Sequence, residues 1–161
     1  MSPAWTNFET GFLNANSWPQ RKDGFPSDLL DALTPAEQKN AISILKEKLD
    51  GGDDWPIRAM AHMGASECVP RLRELLKEAT MPSIRAVTAT AIYELANDSE
   101  MEEIVWSVAG AKEKEWFYRL DAIHCLGRFK SSSAAARLAL LLDDPDYLVS
   151  YNAKLAGGRK S

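Results

Sequence analysis

Apolar and polar residues recur along this chain at helical spacing, and one short phrase returns four times. Each copy has an acidic or proline-marked turn, then an apolar and a polar residue, then small and apolar residues three and four positions apart. The copies are DDWPIRAMAHMG (53–64), TMPSIRAVTATAIYEL (80–95), EWFYRLDAIHCLG (115–127) and DDPDYLVSYNAKLAG (143–157). Aligned on Arg58, Arg85, Arg119 and Ser150, they lie 27, 34 and 31 residues apart. A period of this size predicts an array of helical pairs.

Start and stop signals divide most of the chain into such pairs. Thr34 to Glu37 reads as a capping box with proline at the first helical position, and the helix that it opens is predicted to reach the Gly51-Gly52 pair. A partner helix follows Trp55-Pro56. The further predicted pairs are 67–79 with 83–96, 100–111 with 116–129, and 133–142 with 147–156. No stretch alternates with the period of a strand, so the fold is predicted to be all-α.

Residues 1–33 differ in composition from the array predicted for residues 34–161. They are rich in aromatic residues, and their three prolines argue against one long helix. Within a single domain, we expect this segment to be a cap that covers the core exposed at one end of the array, with Trp5, Phe8 and Phe12 on one helical face. The alternative is that its rigid aromatic side chains belong to a binding surface.

Two stretches resemble a known repeat family. The aliphatic run and Asp-Pro-Asp turn of residues 136–149, and Tyr-Arg-Leu-Asp-Ala-Ile-His-Cys-Leu-Gly at 118–127, are similar to HEAT-like repeats, including those of phycobilin lyase subunits. The resemblance extends from about Thr34 to Ala156. It implies a right-handed α-solenoid of about four helical hairpins. It also implies that the arginines at the starts of the second helices pair with acidic residues of neighbouring turns.

The arginines have a second interpretation, as a ladder of guanidinium groups for phosphate or carboxylate. We favour the structural one, because a planar guanidinium suits a bidentate contact with a carboxylate. The carboxylates available for it in the turns are those of Asp53, Asp54, Asp144 and Asp146.

Aromatic residues recur at the starts of the second helices, and carboxylates lie in the turns before them. Stacked repeats would place these rings along one edge, where they either pack half-buried against the next repeat or anchor a partner. The carboxylates either cap helices or steer a basic partner. The predicted partner-binding residues are Trp55, Trp116, Tyr147, Tyr151, Asp53, Asp54, Asp143, Asp144 and Asp146.

Composition restricts the class of protein. The 161 residues carry a net charge of −4 with 45% hydrophobic residues, which is typical of a globular domain and lacks the basic excess of a nucleic-acid-binding protein. No apolar run approaches the length of a membrane span, and the first residues do not resemble a secretory signal. Two cysteines are too few for a disulfide framework. We therefore expect a cytoplasmic protein that binds neither membrane nor nucleic acid.

Catalytic chemistry has little support in the sequence. His62, His124, Cys68 and Cys125 are the only histidines and cysteines, and their spacing matches no zinc site. Cys125 activated by His62 stays open as an alternative, but a buried cysteine acting as a small apolar residue is the simpler interpretation. We predict no enzyme activity, cofactor or metal.

Three functions fit these observations. The first is a protein-binding module, either a small adaptor or a bacterial immunity protein that neutralises a cognate toxin. The alternatives, both permitted by the repeat resemblance, are a chaperone or enzyme like the phycobilin lyases and a DNA glycosylase like the HEAT-like alkylation-repair enzymes.

Overall fold

The computed structural model describes residues 2–158, which form α-helices and no strand. This all-helical content confirms that the fold is all-α, as predicted. The helices are α1 (Pro3–Phe8), α2 (Trp18–Arg21), α3 (Ser27–Asp31), α4 (Pro35–Lys46), α5 (Asp54–His62), α6 (Val69–Glu78), α7 (Pro82–Ala96), α8 (Met101–Ala109), α9 (Trp116–Leu126), α10 (Ser132–Leu141) and α11 (Tyr147–Ala156). A π-helical turn, Glu9–Leu13, continues α1, and a 3₁₀ turn, Ser66–Cys68, precedes α6.

The predicted helix boundaries agree with the structure to within three residues, except at the end of α4. The helix predicted for 116–129, for example, ends at Leu126. The capping box is present, since the Thr34 side chain accepts the Glu37 backbone N–H and the Glu37 carboxylate accepts the Thr34 N–H. However, α4 ends at Lys46, and the chain continues through turns to Gly52. Leu49 is buried within these turns. The apolar spacing therefore continued past the end of the regular helix and made the helix look longer than it is.

The second helices of the predicted pairs contact one another in chain order. Helix α5 packs against α7, α7 against α9, and α9 against α11. The preceding helices fill the spaces beside them: α4 contacts α5, α6 contacts α7, α8 lies against both α7 and α9, and α10 contacts α9 and α11. Buried side chains from all of these helices form one hydrophobic cluster. Neighbouring pairs thus share a continuous core.

The N-terminal segment packs against α5. Phe8 and Phe12 are buried, and the Phe12 ring centroid lies 5.3 Å from that of Trp55. Phe25 meets the same indole edge-on at 5.9 Å. The Arg21 guanidinium lies 4.0 Å from the centroid of the Trp55 ring. Aromatic contacts and a cation–π contact therefore join this segment to the first of the second helices.

The arginines that open the second helices make two kinds of contact. Arg58 pairs with Asp54 at 2.5 Å, and Arg119 pairs with Asp144 at 3.1 Å, as predicted. Arg85 pairs with no carboxylate of residues 2–158 and instead donates to the backbone carbonyls of Leu76 and Ala79. The reason is its position over the end of α6, where the last carbonyl groups of the helix have no intrahelical donor.

Candidate partner-binding surface

Trp55 lies inside the molecule, so its ring is not part of an exposed aromatic edge. Its side chain is 6% exposed and is enclosed by Phe12, Phe25 and Arg21. The sequence could not show this, because the residues that cover Trp55 come from the N-terminal segment.

Three consecutive aromatic residues open α9 and remain at the surface. Trp116 is half-buried against the core, whereas Phe117 and Tyr118 are each about half exposed. The Phe117 ring meets Trp116 edge-on at 5.7 Å and lies 4.4 Å from Tyr118. We call Trp116, Phe117 and Tyr118 the α9 aromatic cluster. Sequence analysis selected only Trp116, because Tyr118 occupies the position that is apolar and inward-facing in the other copies.

Tyr147 and Tyr151 form a second exposed aromatic group on α11. Their rings stack at 5.9 Å, one helical turn apart, and Tyr147 is 72% exposed. The face of α11 opposite to them carries Val149 and Ala153, which are buried. Both tyrosines are thus available for contact.

The start of α9 lies beside the start of α11. His124 is hydrogen-bonded to Asn152, and Gly127 is so close to Ala156 that a Cβ atom there would lie 2.4 Å from the Ala156 carbonyl oxygen. Near the start of α9, Arg119 donates a hydrogen bond to Asp144 in the turn before α11. The two helices therefore run side by side in the same direction, and the α9 aromatic cluster is level with the start of α11.

Most of the acidic residues predicted to bind a partner form ion pairs or helix caps within the molecule. Asp53 forms a bidentate contact with Arg21 and caps α5 through the Trp55 backbone N–H. The hydrogen bond from Arg21 lowers the pKa of Asp53 despite its partial burial. Asp54 pairs with Arg58, and the Asp144 side chain is 4% exposed beside Arg119. These three carboxylates have structural roles.

Asp143 and Asp146 remain at the surface next to the exposed tyrosines. Asp146 caps α11 by accepting the Leu148 backbone N–H at 2.9 Å, which leaves its second carboxylate oxygen uncommitted among the described residues. Asp143 is exposed and, within residues 2–158, takes part in none of the ion pairs. These two aspartates lie in the same turn, before α11.

A separate cavity of about 270 Å³ lies between α5, α7, α9 and the N-terminal segment. Each arginine that lines the cavity is paired with a carboxylate. Arg58 pairs with Asp54, and Arg128 makes a bidentate contact with Glu94. Burial opposes the charge of Arg58, but the carboxylate of Asp54 raises the pKa of the guanidinium above its usual value. The cavity therefore combines an apolar wall with neutralised ion pairs. Its lining residues are Phe25, Ser27, Arg58, Ala61, His62, Val87, Thr90, Ala91, Glu94, Cys125 and Arg128.

The cysteine in this cavity lies in surroundings that favour its protonated form. Cys125 is buried, and this burial raises the pKa of its thiol above the usual value. A raised pKa reduces the fraction of thiolate, which is the nucleophilic form. His62, the candidate base, is hydrogen-bonded to Asp31 at 2.7 Å. No cluster of three or more potential metal ligands occurs in residues 2–158.

The structure also contains a buried polar site that sequence analysis missed. Glu102 is 5% exposed and accepts hydrogen bonds from Ser131, Ser133 and Arg137. Burial alone would raise the pKa of Glu102, but these donors together lower it. The contacts join α8 to α10, so the site holds two helices together.

Comparisons with protein-family models, with curated proteins and with solved structures found no match. Within residues 2–158, no helix is both long enough and apolar enough to cross a bilayer.

Proposed function

We propose that this protein is a non-catalytic protein-binding module, built as a right-handed α-solenoid of about four HEAT-like hairpins with an N-terminal cap. Its partner is a basic protein. In the most specific form of the proposal, the protein is a bacterial immunity protein and the partner is its cognate toxin. The observation that carries the proposal is the exposed α9 aromatic cluster beside the turn that holds Asp143 and Asp146.

This arrangement combines the two properties of a protein interface that recruits a charged partner. Exposed aromatic side chains supply contact area at low entropic cost and are enriched among residues that dominate binding energy. Peripheral carboxylates attract a basic partner and accelerate association. The proposed contact residues are Trp116, Phe117, Tyr118, Tyr147 and Tyr151, with Asp143 and Asp146 at the rim.

The cavity gives less support to the two alternative functions. A DNA glycosylase of the HEAT-like kind needs a basic face, yet Arg58 and Arg128 are each paired with a carboxylate. A phycobilin-lyase-like protein needs a pocket for a large chromophore, whereas this cavity of about 270 Å³ lies below the usual range for drug-sized ligands. Both observations favour a protein partner.

Affinity capture from the source cell tests the proposal. The wild-type protein should enrich one basic protein, and the double variant Phe117→Ala, Tyr118→Ala should lose it, with affinity reduced roughly 30-fold or more, since a lost anchor costs about 2 kcal/mol. Trp18→Ala is the matched control, because Trp18 is 77% exposed and lies in the N-terminal segment. Equal capture by all three proteins would contradict the proposed surface. For the immunity form, the captured protein should be toxic when expressed alone and harmless when coexpressed with this chain.

A second pair of variants separates steering from anchoring. Asp143→Asn with Asp146→Asn removes two charges while asparagine retains the helix cap. Association with the captured partner should slow, and the difference should shrink as salt is raised. Glu67→Gln with Glu78→Gln, at two exposed positions on another part of the molecule, makes the same change in net charge and should leave the association rate nearly unchanged.

A further inference from the structure

Helix α11 carries an apolar stripe that nothing in residues 2–158 covers. Tyr147, Tyr151 and Leu155 follow one another at intervals of four residues and are 72%, 45% and 49% exposed. This spacing places them on one face of the helix. The opposite face, with Val149 and Ala153, is buried against the rest of the molecule. We call Tyr147, Tyr151 and Leu155 the α11 stripe.

The size of the α11 stripe is that of a small interface. A side chain of this size has on the order of 200 Å² of surface, so the three exposed fractions leave roughly 300 Å² per copy. Exposed apolar patches of roughly this area are often functional. Two such stripes would bury roughly 600 Å², the size of a weak, concentration-dependent interface.

The charges around the α11 stripe are self-complementary. Asp143 and Asp146 lie before the first residue of α11, and Lys154 lies in its last turn. The start of the helix is therefore acidic and its end is basic, a pattern that matches a second, antiparallel copy of the same helix.

We infer that the α11 stripe pairs with the α11 stripe of a second copy of this chain, antiparallel, across a two-fold axis at Tyr151. In this pairing Tyr151 meets Tyr151 of the second copy, and Tyr147 meets Leu155. Lys154 is then level with Leu148 of the second copy, about 3 Å along the helix axis from Asp146, which is within reach of a lysine side chain. A closed interface of this kind uses the same patch on both copies.

The dimer does not depend on the proposed partner, but the two share Tyr147 and Tyr151. A second copy and the partner therefore exclude each other at α11. Measurements on the purified protein alone test the dimer, and capture of the partner tests the proposed function, so the failure of one is distinguishable from the failure of the other.

Sedimentation velocity over a wide range of protein concentration tests the dimer. The wild type should change from monomer to dimer as its concentration rises, with the weak affinity of a small interface. Tyr151→Glu, which places two like charges at the two-fold axis, should remain monomeric at every concentration. Trp18→Glu puts the same charge at a distant exposed aromatic residue and should dimerise like the wild type.

Engineered cysteines test the register. Tyr151→Cys should form a covalent dimer under mild oxidation, because the residue faces its own copy. Tyr147→Cys and Leu155→Cys should cross-link much faster when mixed than when either is alone. The native thiols, Cys68 and Cys125, are buried and should not contribute.

Three results would overturn the inference. They are a wild type that stays monomeric at all concentrations, a Tyr151→Glu variant that still dimerises, and a Tyr151→Cys variant that cross-links no faster than Trp18→Cys. If the wild type is monomeric and Tyr151→Glu loses only the captured partner, the α11 stripe belongs to that partner and not to a second copy.

Discussion

Removing one partner of the Arg119–Asp144 ion pair is expected to be strongly destabilising. Its side chains are only 3% and 4% exposed, and its nitrogen and oxygen lie 3.1 Å apart. Arg119 also donates through Nε to the Ala109 carbonyl at 2.9 Å, and Asp144 accepts the Asp146 backbone N–H at 2.9 Å. The pair therefore connects the end of α8, the start of α9 and the turn before α11.

Asp144→Asn removes the charge while keeping the shape of the side chain and an oxygen for the Asp146 N–H. The guanidinium of Arg119 would remain buried without its counterion, and removing one partner of a buried pair costs about 3–5 kcal/mol. The amide NH2 group of asparagine would then face Arg119, and a donor cannot replace the lost acceptor. Because Arg119 keeps its hydrogen bond to the Ala109 carbonyl, we expect a loss near ~3 kcal/mol, at the lower end of this range. For a domain of this length, that corresponds to a fall of about 6–12 °C in melting temperature.

Urea denaturation at pH 7 measures this loss, and Glu94→Gln is the matched control. Glu94 accepts two hydrogen bonds from Arg128, but the two side chains are 28% and 54% exposed. An exposed pair contributes less than about 1 kcal/mol, and added salt should reduce that contribution further. The loss in Asp144→Asn should be nearly independent of salt.

Two results would contradict this reasoning. If Asp144→Asn and Glu94→Gln destabilise the protein equally, burial does not decide the strength of these pairs. If the double variant Arg119→Met, Asp144→Asn loses the sum of the two single losses, the two side chains act independently and not as a pair.

Three further predictions follow from single contacts. Gly127→Ala should destabilise the protein by about 1–3 kcal/mol in urea denaturation, because the added Cβ would lie 2.4 Å from a backbone oxygen of α11. Gly51→Ala is the control: the nearest atom to its added Cβ is 3.4 Å away, so stability should change by less than about 0.5 kcal/mol. Glu102 has a lowered pKa in the folded state, so its contribution is present above the unfolded pKa of about 4.3 and is lost as pH falls through the folded pKa. Glu102→Gln should therefore lose less stability than the wild type between about pH 5 and pH 3, and equal losses would show that this carboxylate is not responsible. Burial raises the pKa of both thiols, so a disulfide reagent at pH 8 should modify Cys68 and Cys125 rapidly only after the protein unfolds. A fast reaction in the native protein would contradict this and would support a nucleophilic cysteine.

Local sequence signals located the helices from α4 to α11. The capping box at Thr34 and the turns before Pro82 and Tyr147 placed helix boundaries that the structure reproduces, because caps and prolines act within a few residues. The predicted end of α4 was wrong because apolar spacing does not distinguish a helix from a turn. Leu49 is buried, as its spacing indicates, but it lies in a turn after the helix has ended. The acidic partners of Arg58 and Arg119 were also predictable, since they lie in neighbouring turns.

Exposure was decided by contacts between distant parts of the chain. Trp55 and Tyr147 look equivalent in the sequence, yet the first is enclosed by the N-terminal segment and the second is open. Likewise, the sequence around Glu102 is typical of an exposed residue, but in the folded chain Ser131 and Ser133, at the start of α10, donate hydrogen bonds to it. The sequence by itself determined where helices begin and which faces are apolar, because these depend on nearby residues. Only the tertiary structure decided which apolar faces remain uncovered, because burial is a property of the assembled helices and not of any one of them.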